Sequence, residues 1–98
     1  MSLISQPVQV LVGTVSVRLI GPSPHRKALV FSSPPASRIT LNFGAGAVLD
    51  AGVVTLYPGN PPFVMDYDAY GALMQEDVFA IGSAGTQTVQ IVETLYYP

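Results

Sequence analysis

RITLNF, residues 38–43, alternates without a break: Ile39, Leu41 and Phe43 fall on one face, Thr40 and Asn42 on the other. A period of two is the mark of a β-strand with one face against a core. The same reading extends in both directions. KALVFSS (27–33) is an apolar run, read as a strand covered on both faces, and PPAS separates it from RITLNF. GPSPH (21–25) holds two prolines and is a turn. VQVLV (8–12) puts Val8, Val10 and Val12 on one face; after Gly13-Thr14 the phase flips, and Val15, Val17 and Leu19 share a face. Gly13 therefore marks either a bulge in one long strand or a tight hairpin turn.

On the C-terminal side GAGAVLDAG (44–52) is too rich in small residues to pack as a strand and reads as a loop. VVTLY (53–57) is a strand, PGN (58–60) a turn, and PPFVMDYD (61–68) a strand opened by prolines, as an edge strand tolerates. AYGALMQ (69–75) is the one candidate helix, two turns at most. DVFAIGS (77–83) and TVQIVETLYY (88–97) are the last strands. Turns every 8–12 residues between short strands describe an all-β fold. The expectation is a single domain over residues 1–98, a jelly-roll-like antiparallel β-sandwich of about eight short strands with the strand order open.

Composition narrows the function. Charged residues are 10% of the chain, against roughly 25% in an average globular protein. Mean hydropathy is +0.44. No run of about 18 apolar residues supports a membrane helix. The N-terminus, MSLISQPVQV, lacks the basic and apolar regions of a secretory signal, and no membrane association is expected. Burial by partner subunits is the remaining explanation of so few charges. Without cysteine, disulfides, zinc fingers and thiol catalysis are excluded. A net charge of −2 gives no footprint for nucleic acid. All four basic residues (Arg18, Arg26, Lys27, Arg38) precede all six acidic ones (Asp50, Asp66, Asp68, Glu76, Asp77, Glu93). They either intermix in the folded sandwich or form two opposed patches suited to packing between copies.

Few residues could carry chemistry. His25, the single histidine, sits in a turn, which removes most nucleophilic and acid–base catalysis. Asp66 and Asp68 share a strand face, and Glu76 and Asp77 could join them around a hard cation, but the spacing fits no EF-hand; solvated or arginine-paired carboxylates are the plainer reading. GAGAVLD (44–50) lacks the Lys-Ser/Thr ending of a phosphate loop. No enzyme, cofactor or metal site is expected. The tyrosines point elsewhere: Tyr96 and Tyr97 are adjacent, so they face opposite sides of a strand, and tyrosine is favoured at interfaces.

The order of these pieces, VLVGTVSVRLIGPSPHRKALVFSS, RITLNFG, LYPGNPPFVMD and DVFAIGSAGTQTVQIVE, resembles small virion proteins of tailed bacteriophages. The matching positions are Val12, Gly13, Thr14, Leu19, Arg26, Leu29, Phe43, Gly44, Pro58, Gly59, Val78, Ala80, Ile81, Thr86, Val89, Val92 and Glu93, within residues 8–95. SSPPAS and the acidic DYDAY depart from that pattern. The resemblance implies a non-enzymatic part of the virion: a capsid decoration or cement protein, or a fibre base, commonly a homotrimer on the major capsid protein. A carbohydrate- or receptor-binding module using Asp66 and Asp68 is the alternative. The expected contact residues are Val8, Val10, Val12, Phe63, Val64, Met65, Tyr67, Tyr96 and Tyr97.

Overall fold

The structure is a computed structural model that describes residues 2–97, with backbone alone at residues 2 and 97. Its strands are β1 (Ser2–Val12), β2 (Val17–Ile20), β3 (Arg26–Phe31), β4 (Ile39–Phe43), β5 (Val54–Leu56), β6 (Phe63–Asp66), β7 (Val78–Gly82) and β8 (Gln87–Tyr97). A single helical turn, α1 (Tyr67–Tyr70), runs into a 3-10 helix (Gly71–Gln75) between β6 and β7. Asp66 starts α1 by accepting a hydrogen bond from the Ala69 amide at 2.8 Å, as an N-cap does.

β1 pairs with β8, β2 with β7, β3 with β6 and β4 with β5, all antiparallel. Those four pairs describe one long folded-over ribbon. Two further pairings, β3 with β8 and β4 with β7, roll the ribbon into two four-stranded sheets. Sheet I has the order β1-β8-β3-β6 and sheet II the order β2-β7-β4-β5. This is the double-sheet jelly roll.

β1 and β2 belong to different sheets, so residues 13–16 turn a corner between them. The phase flip at Gly13 is thus neither a bulge within one strand nor a hairpin. The corner presses on β7: Gly82 donates its N–H to Gly13 O at 2.8 Å, and a Cβ at Gly82 would meet that oxygen at 3.0 Å.

Paired residues in an antiparallel sheet share a face. On the inner face of sheet I the row Val8–Ile91–Phe31–Phe63 crosses all four strands. It meets Ile39, Leu41 and Phe43 of sheet II in one apolar core. Phe31 stands edge-on to Phe43 across the sheets at 6.5 Å and stacks on Phe63 at 6.2 Å. Among the described residues no buried side-chain nitrogen or oxygen lacks a hydrogen-bond partner. Gln87 shows how: its Oε1 accepts from the Ala36 and Ser37 amides, while its Nε2 donates to Ser37 O and Oγ, pinning the β3–β4 loop.

Candidate interaction surface

The two sheets differ in what covers their outer faces. On sheet II, Thr40 points away from the core yet is buried, because residues 44–53 fold back over it. Thr40 Oγ1 lies 3.0 Å from Thr55 Oγ1 and accepts from the Asp50 amide at 2.9 Å. Gly52 sits so close that a Cβ there would lie 2.5 Å from Leu41 O. The loop is held by a forked ion pair, Arg38 Nε and Nη2 each 2.8 Å from an Asp50 carboxylate oxygen. Those hydrogen bonds hold the Asp50 carboxyl below its usual pKa.

Among the described residues sheet I has no such cover. The register places Pro7, Val92, Val30 and Val64 in one row across its outer face, directly behind the inner phenylalanine row. Val64 is 58% exposed and Val92 36%. The next row is Ser5, Thr94, Ala28 and Asp66, and beyond it Leu3 pairs with Tyr96. Lys27, at the register shift in β3, extends its ammonium over two tyrosines, 5.2 Å from the Tyr67 ring centre and 5.9 Å from that of Tyr96. The cation–π contacts hold the one basic group of this face against its aromatic rim.

The expected contact residues therefore divide. Val64 and Tyr67 are exposed, and Tyr96 is half-buried at the rim. Val8, Val10 and Phe63 are half-buried and pack against the core from its inner side. Val12 and Met65 are fully enclosed within the subunit, which corrects their placement at an external contact. The cause is phase: Val12 and Met65 share the inward parity of Val8 and Phe63, and both strands are roofed there by sheet II. The side chain of Tyr97 lies outside the described residues. Pro7, Val30 and Val92 complete the outer row but were not expected there. Their signal is the alternation of QIVET, which turns Val92 outward once Ile91 faces in.

Basic and acidic residues intermix rather than segregate. Arg18 meets Asp77 at 3.4 Å, Arg26 meets Glu93 at 3.0 Å and Arg38 meets Asp50. Asp66 is engaged as the α1 cap and Asp77 with Arg18, so the acidic residues of DYDAY and QED do not converge. Among the described residues no group of three or more metal-ligating side chains comes together. His25 is half-buried, its amide donating to Ser23 Oγ and its carbonyl accepting from the Tyr96 amide. A cleft of about 230 Å³ lies at the β5–β6 turn, lined by Tyr57, Asn60, Pro61, Pro62 and Phe63 among others, with no charged group.

No family model matches the chain. No curated protein matches it. Among solved structures it is similar to one described as "Bacillus endospore appendages form a novel family of disulfide-linked pili", at 11% identity and a TM-score of 0.58, over 99% of this chain and 90% of that one. At that identity the likeness is one of fold.

Proposed function

We propose that this chain is a non-enzymatic structural subunit that works by assembling, with copies of itself and with a larger shell, as a decoration or cement protein of a tailed-phage capsid. The observation that carries the reading is the open face of sheet I. An apolar row spans all four of its strands, on a molecule whose charged residues are 10% of the chain. Its arginines are already paired within the subunit. Apolar area removed from water contributes roughly 25 cal/mol per Å², offset by the cost of association. Repeated weak contacts of that kind on a multi-copy shell sum to firm attachment.

The motif order supports placement on a phage particle. The similar solved structure, described as an appendage that forms pili, supports the jelly roll as an architecture that polymerises. Those pili are disulfide-linked, whereas this chain has no cysteine, so the assembly proposed here does not use disulfides. Native mass spectrometry of the purified chain, together with co-sedimentation on undecorated phage heads, tests the reading. Oligomers that bind the heads are expected. A monomer at high concentration with no affinity for the shell sinks it.

A further inference from the structure

We propose that copies of this chain join through the free edge of β1, two β1 strands pairing antiparallel across a two-fold axis so that two sheets I become one eight-stranded sheet. The inference rests on the assembling role above and names the contact.

Sheet I ends on β1, whose second side has no strand among the described residues. An open edge is a template for another strand, and proteins guard it with short length, lysine, inward charge, a bulge or proline. β1 has eleven residues, paired to β8 in unbroken register, so neither shortness nor a bulge protects it. Its sequence, SLISQPVQVLV, holds no ionisable side chain. Pro7 is the one guard.

Three features select a second β1 as the occupant. The first is length. The other edge strands, β2, β5 and β6, have four, three and four residues, so only another β1 matches this edge along its whole span. The second is charge. Across a two-fold axis a strand meets itself, so any net charge repels its copy; β1 is neutral throughout. The third is the side-chain pattern on the outer face. Leu3 and Leu11 flank Pro7 at equal distance and are 64% and 65% exposed, so antiparallel pairing brings the apolar ends of the two strands together.

The direction of Pro7 fixes which amides take part. A proline facing β8 would deny a β8 carbonyl its donor; within a ladder, proline belongs where its N–H side is open. Period two then assigns the same open direction to the amides of Leu3, Ser5, Gln9 and Leu11.

The test uses the full chain. Amide hydrogen exchange is measured as concentration rises, beside native mass. Leu3, Ser5, Gln9 and Leu11 should gain protection on association, while Val8 and Val10 are protected throughout. Gln9→Pro removes a second open-edge donor at the parity that Pro7 already occupies, and should weaken association at least about tenfold. Gln9→Lys should also weaken it, because a lysine guards an open edge against a second strand, with the backbone untouched. Pro7→Val restores a donor and should tighten it. Circular dichroism confirms that each variant is folded. An odd-numbered oligomer, or one that Gln9→Pro and Gln9→Lys leave intact while Val92→Lys dissociates it, overturns the edge contact but keeps the assembling role. A wild-type monomer overturns both.

Discussion

Arg26 Nε donates to Glu93 Oε2 at 3.0 Å, with the guanidinium only 1% exposed. The other two nitrogens are also engaged: Nη1 reaches Met74 O at 2.9 Å and Glu76 O at 3.0 Å, and Nη2 reaches Gly21 O at 2.6 Å. One side chain thus ties β3 to β8, to the turn before β3 and to the 3-10 helix that leads into β7. Gln75 reinforces the same junction by donating to Pro24 O and Arg26 O. A buried arginine is tolerable because a countercharge and three carbonyls replace its water.

Removing that hub should be severe. Arg26→Met leaves three carbonyls and one carboxylate without their donor, and a loss of about 3–5 kcal/mol is expected. Glu93→Gln keeps an oxygen for Nε and leaves the carbonyl contacts in place, so about 1–3 kcal/mol is expected. Urea denaturation of the two variants should rank them in that order. Equal losses would show that the carbonyl contacts hold nothing.

Arg38 and Asp50 set an acid limb on stability. The hydrogen bonds from Arg38, with its charge, lower the Asp50 pKa in the folded state from 3.8, the partial burial opposing them. A depressed folded pKa contributes stability that is present above the unfolded value and lost as pH falls through the folded one. Wild-type stability should therefore decline below about pH 4, and Asp50→Asn should lack that part of the decline. Asparagine is the right replacement because residue 50 has φ +62°, a conformation asparagine accepts. Thermal melts between pH 2 and 6 read the difference.

The strands were legible because each is a local pattern: RITLNF shows its inward face through every second residue, and β4 spans Ile39–Phe43. Strand order was not, since β1–β8 and β3–β8 are decided by residues far apart in the chain. Gly13 illustrates the limit. A bulge, a hairpin and a corner between sheets all flip the phase, and only the opposing sheet distinguishes them. Val12 and Val64 make the same point for the surface. Alternation separates two faces, but which one is covered depends on where sheet II lies. Arg26, beside a turn and next to Lys27, carries no local sign that it is buried while Lys27 is not. Alternation carries the expected strand on through Asp68, whereas β6 ends at Asp66 and Asp68 lies in the first turn of α1, so the two carboxylates share no strand face and the capping role of Asp66 is not read from the sequence.

Gly52 should tolerate no side chain. A Cβ there would stand 2.5 Å from Leu41 O and 2.9 Å from Thr40 Cγ2, and the first of these is backbone that cannot step aside. Gly52→Ala should cost about 1–3 kcal/mol by lifting the 44–53 loop from sheet II. Gly46→Ala in the same loop is the control. Its Cβ would meet Ser16 Oγ at 3.6 Å, an ordinary contact, and the variant should lie within about 0.5 kcal/mol of wild type.

Val64 and Met65 are neighbours in β6 with opposite environments, and this pair separates folding from assembly. Met65 is fully buried and Val64 is 58% exposed. Met65→Ala opens a cavity beside Leu29 and should cost about 2–5 kcal/mol of stability in the subunit itself. Val64→Ala should leave the unfolding of the isolated subunit within about 0.5 kcal/mol of wild type, because most of the side chain already lies in solvent. If the sheet I face binds the shell, the same variant should weaken attachment to phage heads by severalfold, since the methyl groups it removes would be desolvated only on binding. Denaturation and head co-sedimentation, run on both variants, read the two effects separately. A Val64→Ala variant that attaches as firmly as wild type would move the shell contact off this face.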